Sequence, residues 1–416
     1  MYVHSHSADL GKDIKMENIS LEAAVELLQG HVALKIESET IALLESTGRI
    51  LAEDVLARHH QPPFDRSPLD GYAVKGEETS QASRNEPVIL TVIDEVCAGY
   101  VSSRELMSGQ AIRIMTGGPM PKGSNGVIRQ EDTNEGMNTV EIYKGIKANQ
   151  NYCYAGEDYK AGQVLLEKGE LLSAYHIGLL ASNGITEVPV KKKLKVALMS
   201  TGDELMEPGA TLQAGKIYNS NLYTLTARLT ELGCQAVAIG TIHDDIDKGM
   251  TLIDQYVKDV DIIITTGGVS VGKMDIMHPI FERLKIKRLF WRVQVRPGTP
   301  ALAGLYKDKL VLALSGNPSA AAITFELLFR PVLSYFNECP NLNLIRVTGK
   351  MLEDFKKKSP TRRLIKAYIE GDKVSLTKGN HSSGALKSMI ACNCFIDVPA
   401  GSGPLNSGDA VQVILL

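Results

Sequence analysis

Between residues 195 and 336 short apolar runs alternate with amphipathic stretches, and this rhythm constrains the fold more than any other feature. Apolar runs at 196–199, 236–239, 261–264, 288–293 and 310–314 read as strands. Stretches at 221–232, 246–257, 276–284 and 319–335 carry helical spacing. Strand–helix alternation at these lengths implies βαβ units and a parallel sheet covered on both faces. The expectation is a doubly wound α/β domain over 193–338.

The flanking segments follow other patterns. Residues 18–58 read as helical: Ser20 caps a helix with Leu21, Ala24, Val25 and Leu28 on one face, Gly30 ends it, and a second helix covers 41–56. The segment 61–74 holds Pro62, Pro63 and Pro68 and reads as a rigid, turn-rich entry. Strand signals follow at 87–93, 110–114, 126–130 and 139–143, then a helix at 173–183. Residues 345–416 alternate again. The expected fold class is multidomain α/β. A discontinuous helical linker domain (17–60 and 156–192) brackets a small mostly-β domain (61–155). The α/β domain follows at 193–338, and a C-terminal β-barrel-like domain at 344–416.

Lys and Arg number 45 against 48 Asp and Glu in 416 residues, a net charge of −3. That balance argues against a general nucleic-acid binder. No run of 18 apolar residues is present, and 1–16 lacks the apolar core of a secretory signal, reading as a polar arm. Six scattered cysteines fit a reducing, cytoplasmic location; Cys392 and Cys394 read as packed thiols, since no second pair has zinc-ligand spacing.

Ligands of open α/β sheets bind beyond the carboxyl ends of the strands. Every loop there is small, polar or glycine-rich: Thr201-Gly202-Asp203-Glu204, His243-Asp244-Asp245, Gly267-Gly268-Val269-Ser270-Val271-Gly272-Lys273-Met274-Asp275, Arg296-Pro297-Gly298-Thr299-Pro300, and Ser315-Gly316-Asn317-Pro318-Ser319. The glycines let backbone N–H groups approach a phosphate, and Ser315 to Ser319 open a helix whose free N–H groups favour an anion. Arg292 and Arg296 add positive charge. Glu204, Asp244 and Asp275 would repel an anion unless a hard cation such as Mg²⁺ joined them, held by one or two carboxylates and by phosphate oxygens. A glycine pair is also an ordinary turn, and Asp244 or Asp275 an ordinary helix cap; the convergence of five such loops is what favours a site. No Walker loop, dinucleotide fingerprint or nucleophile elbow is present. A second polar cluster is carried by Asp70, Thr116 and Asp158.

Residues 62–74, 113–121, 200–204, 266–275, 296–300 and 315–319, in this order, closely resemble the MoeA family, to which the gephyrin E domain also belongs. The resemblance runs from about residue 17 to the end. It implies a molybdopterin-binding α/β domain and a homodimer whose active site lies between subunits. It implies a cytoplasmic molybdopterin molybdotransferase, which takes adenylyl-molybdopterin and molybdate with Mg²⁺ and yields molybdenum cofactor and AMP. The implied functional residues are Asp70, Thr116, Asp158, Glu204, Asp244 and Asp275, the last three as metal ligands. The implied substrate contacts are Gly267, Gly268, Ser270, Gly272, Arg292, Arg296, Pro297, Ser315, Gly316, Asn317, Pro318 and Ser319. A separate adenylyltransferase would supply the substrate, and molybdoenzymes or their chaperones would receive the product; neither nucleic acid nor membrane is involved.

Five positions depart from the family pattern. Thr299 stands where a lysine is common, Arg292 and Arg296 replace lysines with planar forks, Leu69 replaces Met, and Lys366 replaces an arginine. Two rival functions stay open on sequence: a non-catalytic scaffold that keeps the fold, and an adenylyltransferase acting on molybdopterin itself. Molybdate and tungstate are not distinguished.

Overall fold

The computed structural model describes residues 16–270 and 275–416. They form two compact units: the chain up to Ala52 with Gly169–Ala174 and Glu187–Leu416, and Glu53–Lys168 with Tyr175–Thr186.

A seven-stranded sheet organises the first unit, in the order Met16–Ile19, Lys287–Val293, Ala301–Tyr306, Lys309–Leu314, Ile262–Thr266, Lys195–Thr201, Gln235–Ile242. The last four are mutually parallel, as the alternation implied. Their residues divide strictly by face. Val196, Leu198, Ile262, Ile264, Leu310 and Leu312 enter one apolar core, while Ala197, Met199, Ile263, Val311 and Ala313 enter another. Both faces are therefore covered, which is why these strands read as unbroken apolar runs.

The sheet is mixed rather than wholly parallel. Ala301–Tyr306, a strand the sequence reading lacks, runs antiparallel to both of its neighbours. Its two-residue turn to Lys309–Leu314 places Lys307 and Asp308 at φ +48° and +63°. Positive φ at both turn residues matches the right-handed twist of a hairpin, but neither is the glycine or asparagine that would advertise it. Met16–Ile19 adds a parallel edge strand beside Lys287–Val293, so the expected polar arm is ordered from Met16; its other residues lie outside the described ones.

Helix Leu21–His31 forms as expected, with Ser20 Oγ accepting the Ala23 N–H at 3.1 Å and Leu21, Ala24 and Leu28 buried; the helix ends one residue past Gly30. The expected helix at 41–56 does not form. Ser38–Ala42 is instead a strand paired antiparallel with Glu187–Lys191, followed by a 3-10 turn at Leu43–Ser46 and the short strand Val55–Leu56. Strand partners more than a hundred residues away override a local period, and Gly48 at φ +73° interrupts any helix there. Helix Pro318–Asn337 is buried on nearly all sides. Within it Glu326 accepts from Arg228 at 2.7 Å, and Arg330 donates to the carbonyls of Leu342 and Asn343.

The C-terminal part closes into a five-stranded barrel: Arg346–Met351, Lys373–Leu376, Arg362–Glu370, Cys394–Val398 and Ala410–Leu415, back to the first. Cys392 and Cys394 are thiols, the first half-buried with Sγ 3.0 Å from the Cys394 carbonyl and the second buried in the barrel.

The second unit is built on a sheet in the order Gly126–Arg129, Gly71–Val74, Gln110–Ile114, Val88–Val96, Thr139–Ile142. Four of these strands were legible. Gly71–Val74, read as part of a turn-rich entry, is a buried inner strand. It requires glycine at its start, because a Cβ on Gly71 would lie 1.8 Å from the Ile128 carbonyl oxygen. Helix Ala174–Ser182 matches its expected span to within a residue. Among the described residues no helix is long and apolar enough to cross a membrane.

Candidate active site

The carboxyl ends of the parallel strands are in register. Thr201 pairs with Ile242, Ser200 with Thr266, Thr266 with Leu314, and Leu314 with Ala301. The polar loops after these strands consequently share one rim. Three glycines pack there backbone to backbone. A Cβ on Gly267 would lie 2.4 Å from the Thr201 carbonyl oxygen, one on Gly268 would lie 2.8 Å from Thr201 Oγ1, and one on Gly316 would lie 3.3 Å from Gly267 Cα. Gly267 and Gly268 also hold φ of +93° and +61°, so side chains are excluded on two grounds. Thr201 Oγ1, buried beneath this cradle, has no hydrogen-bond partner among the described residues. Ser200 and Thr266 bond each other at 2.9 Å, and buried Asn221 donates to the Gly316 carbonyl at 2.8 Å. Gly272 lies outside the described residues.

The carboxylates gather on the same rim. Asp203 accepts the Asp244 backbone N–H at 3.1 Å and lies 3.4 Å from His243 Nδ1. Burial pushes the Asp244 carboxyl above its ordinary range, and the charges of Asp203, Glu204 and Asp275 push it further. Neither Asp244 nor Asp275 holds a cap position: Asp245 caps helix Ile246–Tyr256, and Ile276 stands at the cap of Met277–Arg283. Among the described residues no three His, Cys, Asp or Glu side chains stand together as a metal cage. An acidic rim beside an anion cradle nevertheless suits Mg²⁺, which needs only one or two protein carboxylates when a ligand supplies oxygens.

The start of helix Pro318–Asn337 is less open than its sequence suggested. Pro318 has no N–H, and the Ala320 N–H donates to the Ser383 carbonyl at 3.2 Å. The Ser383 loop is held by Lys366, buried among the carbonyls of Asn380, Ser382 and Ala385.

Arg292 and Arg296 stand apart from the carboxylates. They line a cavity of about 900 Å³ together with Gln294, Thr299, Arg346 and Arg362, and none of Glu204, Asp244 or Asp275 lines it. Arg362 is committed to Asp397 through two bonds of 2.6 and 2.7 Å and to Glu22 at 2.6 Å. Thr299 turns its hydroxyl to the Val295 carbonyl at 2.6 Å, inside its own loop.

In the second unit Asp70 Oδ1 accepts both the backbone N–H and the hydroxyl of Thr116, each at 2.7 Å. These two bonds hold the Asp70 carboxyl below its ordinary value. The turn bearing Asp158 is tied to the same proline-rich segment: the Asp158 N–H donates to the Gln61 carbonyl at 2.9 Å, and Asp65 takes the Tyr152 hydroxyl at 2.6 Å and the Ala155 N–H at 2.8 Å. Sequence reasoning left Asp203, Thr201, Asn221 and Asp65 off the candidate set. Thr201 and Asp203 were visible inside Thr-Gly-Asp-Glu and Asp65 inside the 62–74 segment, but not their contacts; Asn221 carries no signal apart from the fold.

Comparison with known proteins finds the same family along the chain. Residues 19–184 match the MoeA N-terminal region (domain I and II), 197–335 a probable molybdopterin binding domain, and 348–416 the MoeA C-terminal region (domain IV). The chain is 38% identical over 395 residues to a molybdopterin molybdenumtransferase of Bacillus subtilis, covering 93% of this chain and 91% of that one. It is 36% identical over 405 residues to the protein of that name from Staphylococcus epidermidis, covering 96% of each. A crystal structure of a MoeA protein from Pyrococcus horikoshii superposes with a TM-score of 0.83 at 30% identity, covering 96% of this chain and all of that one. With each segment matched in order and relatives aligned almost end to end, the chain belongs to the MoeA family.

Proposed function

We propose that this chain is a molybdopterin molybdenumtransferase, which inserts molybdate into adenylyl-molybdopterin and releases AMP in molybdenum cofactor synthesis. The observation that carries the reading is the cradle of Gly267, Gly268 and Gly316 over the Thr201 hydroxyl, unpartnered among the described residues, beside an acidic rim. A phosphate-bearing ligand would receive backbone N–H groups and the Thr201 hydroxyl there, with Ser270, Ser315, Asn317 and Ser319 on the bordering loops.

Glu204, Asp244 and Asp275 would hold Mg²⁺ when it is bound. Its chemistry there would be to offset the negative charge of the pyrophosphate bridge as water splits the P–O–P bond, leaving AMP and the pterin's own phosphate. The chain's own residues do the rest. Asn221 fixes the Gly316 carbonyl and with it the loop. Arg292 and Arg296, at the edge of their cavity, attract the doubly charged oxyanion. Stabilisation is electrostatic, with no covalent intermediate on the protein. We read Asp70, Thr116 and Asp158 as a second part of the active site in a homodimer whose site is shared between subunits. We also propose cytoplasmic action, a separate adenylyltransferase upstream, and molybdoenzymes or their chaperones downstream. The four-part division at 17–60 with 156–192, 61–155, 193–338 and 344–416 is our reading of the chain's functional modules.

The test is reconstitution from purified protein, adenylyl-molybdopterin and Mg²⁺, following AMP with and without molybdate. Molybdate-dependent AMP release is expected. Pterin binding without AMP release would leave a scaffold, and consumption of ATP with free molybdopterin would make the chain an adenylyltransferase.

A further inference from the structure

The glycine cradle and the arginine-lined cavity use different side chains, yet one aromatic residue touches both the loop that carries Gly267 and Gly268 and a residue in the wall of the cavity. Trp291, the single tryptophan of the chain, lies in strand Lys287–Val293. Its indole N–H points to the carbonyl of Val269, in the glycine-rich loop, at 3.4 Å. Its ring meets His278 edge-on, with centroids 4.7 Å apart, in the first turn of the helix that follows that loop. The Arg292 guanidinium sits over the same ring, 4.9 Å from its centroid.

This last contact is not available to a regular strand. Successive side chains of an extended strand point to opposite faces, so residue 292 should turn away from residue 291. Arg292 instead occupies the left-handed region, at φ +69°. A residue with a Cβ stays there only when its surroundings hold it, and such residues concentrate at functional sites. The kink folds the guanidinium back onto the neighbouring indole while keeping Arg292 in the wall of the cavity.

We propose that Trp291 is a positioning residue that couples oxyanion occupancy at Arg292 to the backbone of the glycine-rich loop at Val269. The proposal rests on the reading of the cavity as the oxyanion's approach and of the loop as the phosphate cradle. An anion that draws on Arg292 changes the cation lying over the indole, and the indole carries the change to Val269 through a hydrogen bond long enough to tighten. Linkage makes the effect reciprocal: a phosphate ligand settled on the loop favours the oxyanion at Arg292 by the same factor. A purely structural role is the competing account, since Trp291 also packs against the core on that face of the sheet. The experiment therefore needs a readout that packing alone would not move.

Backbone amide exchange across 262–270 is measured in the full chain with and without molybdate, and Trp291 emission is recorded in parallel. In the unsubstituted protein molybdate slows exchange at 267–270 by about threefold, the size of one cation–π contact, and shifts the emission. W291F keeps an aromatic ring in the core but loses the N–H; it binds molybdate by equilibrium dialysis and loses the slowing. R292Q loses the emission shift and the slowing together. Slowing that survives in W291F, or no slowing in the unsubstituted protein, overturns the coupling. The unsubstituted protein decides even if a variant fails to fold. The AMP assay separates the two readings: AMP release without coupling sinks this proposal alone, and coupling without AMP release sinks the transferase reading alone.

Discussion

Asp244 shows how an acidic rim can be a liability without its ligand. Its folded carboxyl is raised by burial and by three neighbouring acids. A raised carboxyl binds its proton more tightly when folded, so its favourable contribution is complete below the ordinary aspartate value and is lost as pH rises through the raised one. D244N is therefore expected to melt higher than the unsubstituted protein at neutral pH, with the difference closing below about pH 4. Mg²⁺ should raise the melting temperature of the unsubstituted protein and leave D244N nearly unmoved; thermal melts across pH, with and without Mg²⁺, check both. Asp70 and Thr116 teach a different lesson. Each stood out in its own motif, but their meeting did not, because it follows from a strand the sequence had disguised as a turn. Gly71 pairs with Ile114, so the residues just outside that pair must converge. T116V, which removes the hydroxyl bond while keeping the backbone one, is expected to lower kcat tenfold or more in the AMP assay, about 1.4 kcal/mol, with little change in melting temperature.

At the scale of elements, what was legible is what local periodicity dictates. The buried parallel strands and their helices were found within a few residues of their observed ends. The hairpin strand Ala301–Tyr306, the edge strand Met16–Ile19 and the strand Ser38–Ala42 were not, because distant partners or glycine-free turns define them. The glycine-rich loop is the element on which the site depends most directly. G267A is expected to abolish AMP release, since its methyl would drive into the Thr201 carbonyl from a backbone that already disfavours it; the soluble fraction and its activity, measured together, test this. The barrel has its own keystone in Asp397. Burial alone would raise its carboxyl, but hydrogen bonds from Arg362 and Arg346 outweigh that and hold it below the ordinary value. A depressed carboxyl stabilises above its unfolded pKa and loses that contribution as pH falls through the folded one. D397N, which leaves half-buried Arg362 with Glu22 as its remaining acidic partner, should cost about 1.5–3 kcal/mol at neutral pH, and less in acid; urea unfolding at both pH values reads the difference.

Across the whole molecule, membership of the MoeA family was legible because its motifs are long and ordered. The placement of Arg292 and Arg296 was not, since spacing along a strand says nothing of which cavity a kinked residue lines. A homodimer is expected by light scattering, at twice the chain mass; a monomer that still releases AMP would overturn the shared active site. One property of the first unit bears on how such a chain can be cut and recombined. Helix Pro318–Asn337 is buried on nearly every side, and a single apolar cluster joins it to Leu21, Ala24 and Leu28 at one end of the sequence and to Leu364, Phe395 and Ile414 at the other. The sheet region looks like an interchangeable cassette when read along the sequence, but it shares its interior with the segments before and after it. A fragment ending at residue 343 would strip Leu364, Phe395 and Ile414 from that cluster and the Leu415 carbonyl from Arg330. Splicing this region into another protein would have to carry residues from both termini along with it.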